Sequence, residues 1–206
     1  MPTSHPHGEF QLIRDYFQQQ NLQRHDVHQG IGDDGAVVSV PAGQQLVLVM
    51  DTMVAGVHFP LETSAYDLGW KALAVNLSDL AAMGAEPAWL TLALTLPQSD
   101  ATWVKEFCRG LFDLAAAHNV QLIGGDTTRG PLTISVQAHG LVEEGKALLR
   151  SGAAVGDLIY ISGHPGEAAL GLALLQSGQQ QHPAFGHLLS RLNRPEPRLR
   201  LGRALQ

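Results

Sequence analysis

The amino-acid sequence predicts an α+β fold: a mixed sheet packed by helices over residues 1–148, followed by the incomplete start of a second α/β domain over residues 149–206. Two observations predict the first domain, namely short apolar segments separated by turn residues and two long segments with helical periodicity. A third observation, the Gly- and Ala-rich stretch after Arg150, marks the change of domain.

The N-terminal elements follow from local signals. An apolar stripe at helical spacing predicts a first helix that begins near Glu9. A glycine-flanked loop with Asp33 and Asp34 then leads into a short strand, and the turn sequence PAGQ separates this strand from the next one, QQLVLVMDT. We expect the two strands to form a hairpin, with Asp34 before the first strand and Asp51 at the end of the second.

The segment 66–83 predicts a helix that ends at Gly84, in a left-handed cap, with Pro87 beyond it. Asp79 lies within this helix on the same face as Ala72 and Val75, because residues three and four apart meet on a helix. We therefore expect the Asp79 carboxylate to point inward.

The later segments predict a strand near 89–97, a helix over 99–118, a strand that ends at the loop of Asp126, and a strand near 131–142 in which polar and apolar residues alternate. Residues 157–175 then predict a strand, a glycine turn and a helix. The last helical pattern has no cap, so we expect the chain to continue beyond Gln206.

Composition excludes several classes of protein. The chain has 206 residues, 45% of them hydrophobic and 16% charged, which is typical of a globular protein. Its net charge of -6 argues against a nucleic-acid partner, since phosphate neutralisation needs clustered Lys and Arg. The single cysteine, Cys108, excludes a disulfide framework. With no signal peptide and no apolar run of about 20 residues, we expect a cytoplasmic protein without a membrane partner.

Four aspartates, one of them paired with Asp33, stand at the edges of apolar segments: Asp34, Asp51, Asp79 and Asp126. Carboxylates in such places are costly to ionise unless a cation lies beside them. Ligation by oxygen alone suits Mg²⁺, which usually binds together with substrate phosphates. The pattern therefore suggests a cluster of Mg²⁺ ions that meets phosphate at one pocket.

Each of these signals also has a simpler structural interpretation. The Asp126 turn and the Asp33–Asp34 loop have the composition of ordinary solvated turns, and Asp51 is also compatible with a capping role. A loop histidine such as His58 is more often a surface residue than a ligand. The sequence has no Walker-type phosphate loop, no HExxH and no nucleophile elbow.

Five segments follow one another along the chain: GIGDDGAVV, MDTMVAGVHF, KALAVNLSDLAAMGAEPAWLTLALTLP, LIGGDTTRGPL and LLRSGAAVGDLIYISG. In this order they resemble the N-terminal part of the thiamine-monophosphate kinases. This family shares a superfamily with aminoimidazole ribonucleotide synthetase and selenophosphate synthetase. The resemblance implies that ATP phosphorylates thiamine monophosphate to thiamine diphosphate, with several Mg²⁺ ions and no covalent nucleophile on the enzyme. It also implies a homodimer that forms through the strands of the N-terminal domains.

Carried over by position, the resemblance implies metal ligands at Asp34, Asp51, Asp79 and Asp126, ATP contacts at Gly125, Asp126 and Arg150, and a substrate contact at His58. Val49 and Met50 depart from the family, which commonly has Ser or Thr there. The family's second half, with further acidic motifs, lies beyond this sequence. Two other hypotheses stay open: a superfamily enzyme with another acceptor, and a non-catalytic module for dimerisation or metal binding.

Overall fold

A computed structural model describes residues 13–18 and 22–206 of the chain. The predicted start of the first helix near Glu9 lies outside these residues, which begin with a π-helical turn. The elements in chain order are the π-helical turn Ile13–Gln18, β1 Val27–Gln29, β2 Val37–Val38, β3 Gln44–Val54, α1 Ala65–Ala82, β4 Glu86–Leu96, α2 Ala101–Ala117, β5 Gln121–Arg129, β6 Thr133–Glu143, a 3₁₀ turn Arg150–Gly152, α3 Glu167–Gln176, α4 Phe185–Asn193 and α5 Leu199–Ala204.

The main sheet has four strands in the order β3-β6-β4-β5. β6 pairs antiparallel with both of its neighbours, whereas β4 and β5 are parallel. The predicted α+β fold with a mixed sheet is therefore confirmed. Strands β1 and β2 form a separate two-stranded ribbon.

One face of the sheet carries the core, against which α1 and α2 pack. In β6 every second residue from Ile134 to Val142 is buried, as the predicted alternation requires. α1 begins at the N-cap Ser64, whose hydroxyl accepts the Asp67 N–H, and ends before Gly84 in a left-handed conformation (φ +71°). The predicted helix over 66–83 is therefore confirmed within one residue at each end.

The predicted hairpin between the strands now labelled β2 and β3 is wrong. β2 is only two residues long and pairs with β1, whereas β3 pairs over its full length with β6. The turn sequence does form a turn, with Gln44 N–H donating to Pro41 O. The long apolar β3 pairs with β6, a strand of equal length far along the chain, and not with the two-residue β2, so the local turn does not decide the pairing.

The strand predicted after residue 157 is not formed. Leu158, Ile159, Tyr160 and Ile161 are largely exposed and have no strand partner in the described chain. A strand needs hydrogen bonds from a neighbouring strand, and none lies beside this segment. The helix predicted after it is confirmed as α3.

The C-terminal helix α5 returns to the first part of the chain and packs on α1. A side chain on Gly202 would place its Cβ 2.0 Å from Ala81 O, so the two backbones touch. Arg203 pairs with Glu86 at 2.9 Å, and Trp70 donates to Pro195 O at 3.1 Å. None of the helices in the described chain is long and apolar enough to cross a membrane.

Candidate functional site: an acidic cleft beside strand β5

A cleft of about 620 Å³ lies beside β5, an edge strand of the sheet. Its walls are residues 31–36, Thr91 and Leu92 of β4, residues 122–127 of β5, and Phe17. Asp34 lies in the wall formed by residues 31–36, and Asp126 lies in the wall formed by β5. Two of the predicted carboxylates, from distant parts of the sequence, therefore share one cleft.

The two aspartates of the loop 31–36 have different contacts. Asp33 Oδ1 accepts the backbone N–H of Asp34 at 2.9 Å, which fixes the turn. Both residues are exposed. Asp33 thus has a structural contact within the loop, and the Asp34 carboxylate remains the ligand candidate.

Gly125 lets β5 approach β4 more closely than any other residue would. Its φ is +151°, and an added Cβ would lie 1.9 Å from Leu92 O. The sequence predicted backbone access at the two glycines, and the structure places both Gly124 and Gly125 in the cleft wall. At Gly124 an added Cβ would have nothing within 4 Å, so the backbone there is open to a bulky anion.

Asp126 lies within β5 and not in a loop after the strand, so that prediction is wrong. β5 continues to Arg129 because its pairing with β4 continues beyond the glycines. In register, Asp126 is opposite Ala93, which is opposite Ser135 on β6. Asp126 is exposed, on the sheet face away from the buried residues of β6.

A second acidic group forms where β3 meets α1. Asp51 is half-buried inside β3, three residues before its end and not at the terminus as predicted, because β3 pairs with β6 through Val54. Burial and then the nearby Asp51 charge raise the pKa of Asp79, whereas Arg150 lowers it. Asp51, Asp79 and Arg150 are therefore close enough to interact.

The inward orientation expected for Asp79 is wrong, since this residue is exposed. Its helical neighbours Asn76 and Leu80 are fully buried, so the core stripe of α1 passes beside Asp79 and not through it. The segment of Arg150 is held near the end of this helix by Leu148 N–H, which donates to Met83 O at 3.1 Å.

The four aspartates come together as two pairs and not as one cluster. Among the described residues, no group of three or more His, Cys, Asp or Glu side chains is arranged to hold a metal ion. Asp51 is aligned with the buried Val136, whereas Asp126 is aligned with Ser135 of the opposite face. The expectation of a single pocket is therefore not met within the described chain.

The residues present nevertheless fit Mg²⁺. Both pairs offer carboxylate oxygens, the ligands that Mg²⁺ prefers. Burial, and after it the like charge of Asp51, raises the pKa of Asp79, and a cation would stabilise the ionised form against both effects. Both pairs can therefore hold cations, and Gly124 and Gly125 leave room beside one pair for phosphate.

His58 lies on a separate cleft of about 450 Å³ between the loop after β3 and the helices α3 and α4. Its Nδ1 accepts the Val54 N–H at 2.9 Å, so Nε2 carries the ring proton of the neutral imidazole. Phe59, Leu172 and Leu175 supply apolar lining. The site can accept a flat, partly apolar ligand and donate one hydrogen bond to it.

Sequence reasoning did not select Thr91, Thr127 or Phe17, although all three line the acidic cleft. Thr127 follows Asp126 directly, so the motif itself was a signal for it. Thr91 and Phe17 reach the cleft through strand pairing and core packing, for which the local sequence has no signal.

Residues 32–142 match the AIR synthase related protein family, N-terminal domain, and the chain belongs to this family.

Among its relatives, the thiamine-monophosphate kinase of Escherichia coli (strain K12) is 53% identical over 97% of this chain and 62% of its own length. The crystal structure of the thiamine-monophosphate kinase from Stenotrophomonas maltophilia K279a superimposes with a TM-score of 0.87 at 50% identity, over 94% of this chain and 63% of that one. A structure of AaThiL complexed with AMPPCP and TMP gives a TM-score of 0.76 at 32% identity, over 85% of this chain and 57% of that one. The chain thus spans between 57% and 63% of the length of these relatives.

Proposed function

We propose that this chain is the nucleotide- and metal-binding part of a kinase that transfers the γ-phosphoryl group of ATP to thiamine monophosphate, giving thiamine diphosphate. The observation that carries the proposal is the cleft that Asp34 and Asp126 both line, together with Gly124 and Gly125. The names of its relatives, and the ATP analogue and TMP in AaThiL, support the choice of reaction.

The chain's own residues would position the reactants. Asp34 and Asp126 would hold cations at the cleft wall, while the bare backbone at Gly124, where an added Cβ would have nothing within 4 Å, lets phosphates approach beside Gly125. Asp51 and Asp79 would hold a further cation, with Arg150 contacting the nucleotide. Several Mg²⁺ ions, when bound, neutralise the phosphate charge and align the attacking and leaving oxygens. The reaction then needs no side-chain nucleophile.

His58 is the proposed contact to the acceptor. The cleft of His58 combines apolar lining from Phe59 and Leu172 with one ring donor, which suits a heteroaromatic ligand. The expected setting is the cytoplasm, where the unpaired Cys108 stays reduced.

We also propose a homodimer that forms through the open face and edge of the sheet. Leu46, Leu48 and Met50 of β3 are exposed although they are apolar, with Leu48 54% and Met50 63% accessible. β3 is an edge strand, so its outer backbone groups are available for pairing. A second copy would cover both the apolar side chains and the edge.

The nucleotide site is tested by titrating the 206-residue chain with ATP in the presence and absence of Mg²⁺ in a calorimeter. We expect binding that depends on Mg²⁺ and that Asp126→Asn weakens at least about tenfold, because one carboxylate-cation contact is lost.

Glu106→Gln is the matched control, since it removes one negative charge from an exposed pair with Arg109 on α2. It should bind ATP as the unchanged chain does. Equal affinity with and without Mg²⁺, or full affinity in Asp126→Asn, would contradict the proposal, and a chain that binds no nucleotide would favour a pure assembly module.

A further inference from the structure

A buried polar network lies just outside the acidic cleft and has no part in the site described so far. We call it the Arg24 network, and its members are Arg24, Asp26, Trp89 and Gln121. The guanidinium of Arg24 donates from Nε and Nη2 to both oxygens of Asp26 at 2.9 and 2.6 Å. Trp89 Nε1 donates to Asp26 Oδ1 at 3.1 Å.

The same arginine also reaches strand β5. Its backbone N–H donates to Gln121 Oε1 at 2.6 Å, and its Nη1 donates to Asn119 O at 2.7 Å. Gln121 is the first residue of β5, and Asp126 follows on the same strand. Arg24 therefore joins Asp26 on one side to the beginning of the Asp126 strand on the other.

Asp26 in turn fixes the ribbon that carries Asp34. Its backbone O accepts Ser39 N–H at 2.9 Å, which closes the ribbon after β2, and β1 begins at the next residue. Val27 and Val38 of this ribbon pack against Trp89. The loop 31–36, which forms one wall of the cleft, is the connection between β1 and β2.

The network is largely buried, so its charged groups depend on their hydrogen-bond partners. Asp26 is only 6% exposed and Trp89 is fully buried, so a carboxylate here needs its partners. Breaking one contact would leave a buried charge unpaired, which costs more than the contact itself is worth. The network is therefore a rigid connection and not a surface ion pair.

We propose that Asp26 is a positioning residue for the nucleotide site: through Arg24 and Trp89 it holds the loop of Asp34 in register with the strand of Asp126. The two carboxylates come from walls that are 92 positions apart in sequence. Within the described chain, the Arg24 network is the polar connection seen between these walls. This inference rests on the proposed function in so far as the site binds Mg²⁺ and ATP.

The test is Asp26→Asn in the full 206-residue chain, because the amide keeps the size and one acceptor oxygen but loses the charge that holds Arg24. Without any nucleotide, amide hydrogen exchange should become about tenfold faster or more in residues 30–36, and change less in α1 and β6. With Mg²⁺ and ATP, calorimetry should give an affinity about tenfold weaker, at a temperature where both proteins are fully folded.

Arg24→Lys is the second variant, since it keeps the positive charge but loses the bidentate contact to Asp26. It should show the same local loosening if Asp26→Asn does not fold. Glu106→Gln again serves as the charge control.

Two results would overturn the proposal: exchange that rises equally throughout the protein, or local loosening with unchanged nucleotide affinity. Either one leaves the network with a role in stability alone. If the unchanged chain binds no ATP, the proposed function fails, and the exchange measurement then decides by itself whether Asp26 holds the loop.

Discussion

Asp26 is buried and Asp79 is exposed, and their neighbours move the pKa of the two carboxyl groups in opposite directions. Burial would raise the pKa of Asp26, but the hydrogen bonds from Arg24 and Trp89 and the Arg24 charge outweigh it, so its pKa lies below the ordinary value. The pKa of Asp79 is raised, first by burial of the carboxyl group and then by the neighbouring Asp51 carboxylate. The Asp26 carboxylate thus has partners that stabilise its charge, whereas the neighbouring Asp51 carboxylate destabilises that of Asp79.

The lowered pKa of Asp26 predicts a pH dependence of stability. Because the folded-state pKa lies below the unfolded one, the stabilisation is complete above about pH 4 and is lost as the pH falls through the folded pKa. Urea unfolding of the unchanged chain and of Asp26→Asn, from pH 6 to pH 3, should give a free-energy difference that shrinks toward acid pH. A difference that is constant over this range would refute the assignment.

The close approach at Gly125 predicts a sharp difference between two adjacent glycines. Gly125→Ala should lower the free energy of unfolding by about 2 kcal/mol or more, because the new methyl group meets Leu92 O and the backbone is in a region that favours glycine. Gly124→Ala is the control, since its added Cβ has nothing within 4 Å. Equal loss of stability in the two variants, measured by urea unfolding, would show that this contact is not what requires glycine.

At the scale of elements, the sequence predicted the features that depend on neighbouring residues, such as helix ends and buried strand faces. α1 ends at Gly84 as predicted, and the alternation of polar and apolar residues in β6 predicted its buried face correctly. The partner of β3 was not predictable from the turn before it, because a longer strand distant in sequence competes successfully for the pairing. Asp79 was placed inward because its apolar neighbours form a broad stripe, and its offset from that stripe depends on packing against the sheet.

The exposed side of β3 predicts how two copies associate. Leu48→Glu should shift the chain from dimer to monomer in sedimentation velocity experiments, because a charge would then have to be buried in the apolar contact. Leu170→Glu on α3 is the matched control, with 51% exposure against 54% for Leu48. The interface is elsewhere if Leu48→Glu remains a dimer, or if Leu170→Glu dissociates as readily.

At the scale of the whole molecule, the sequence identified the acidic residues but not their grouping. Every proposed ligand sits in a motif that is visible in the sequence, whereas the division into two pairs follows from the sheet register and from the ribbon that the Arg24 network holds. Long-range pairing of this kind has no local signature. We still propose a domain change near residue 148, where an exposed stretch without helix or strand follows from residue 153.

The central claim is that both aspartate pairs act on one Mg²⁺-dependent nucleotide site. The most direct test is a double-mutant cycle in ATP affinity with the unchanged chain, Asp79→Asn, Asp126→Asn and the double variant, at Mg²⁺ concentrations where each single variant still binds. If both pairs act on the same nucleotide, each single variant should weaken ATP binding and the double variant should bind more weakly than either one, with any departure from the sum of the single losses measuring the coupling between the pairs. A single variant that binds ATP as tightly as the unchanged chain would contradict the claim.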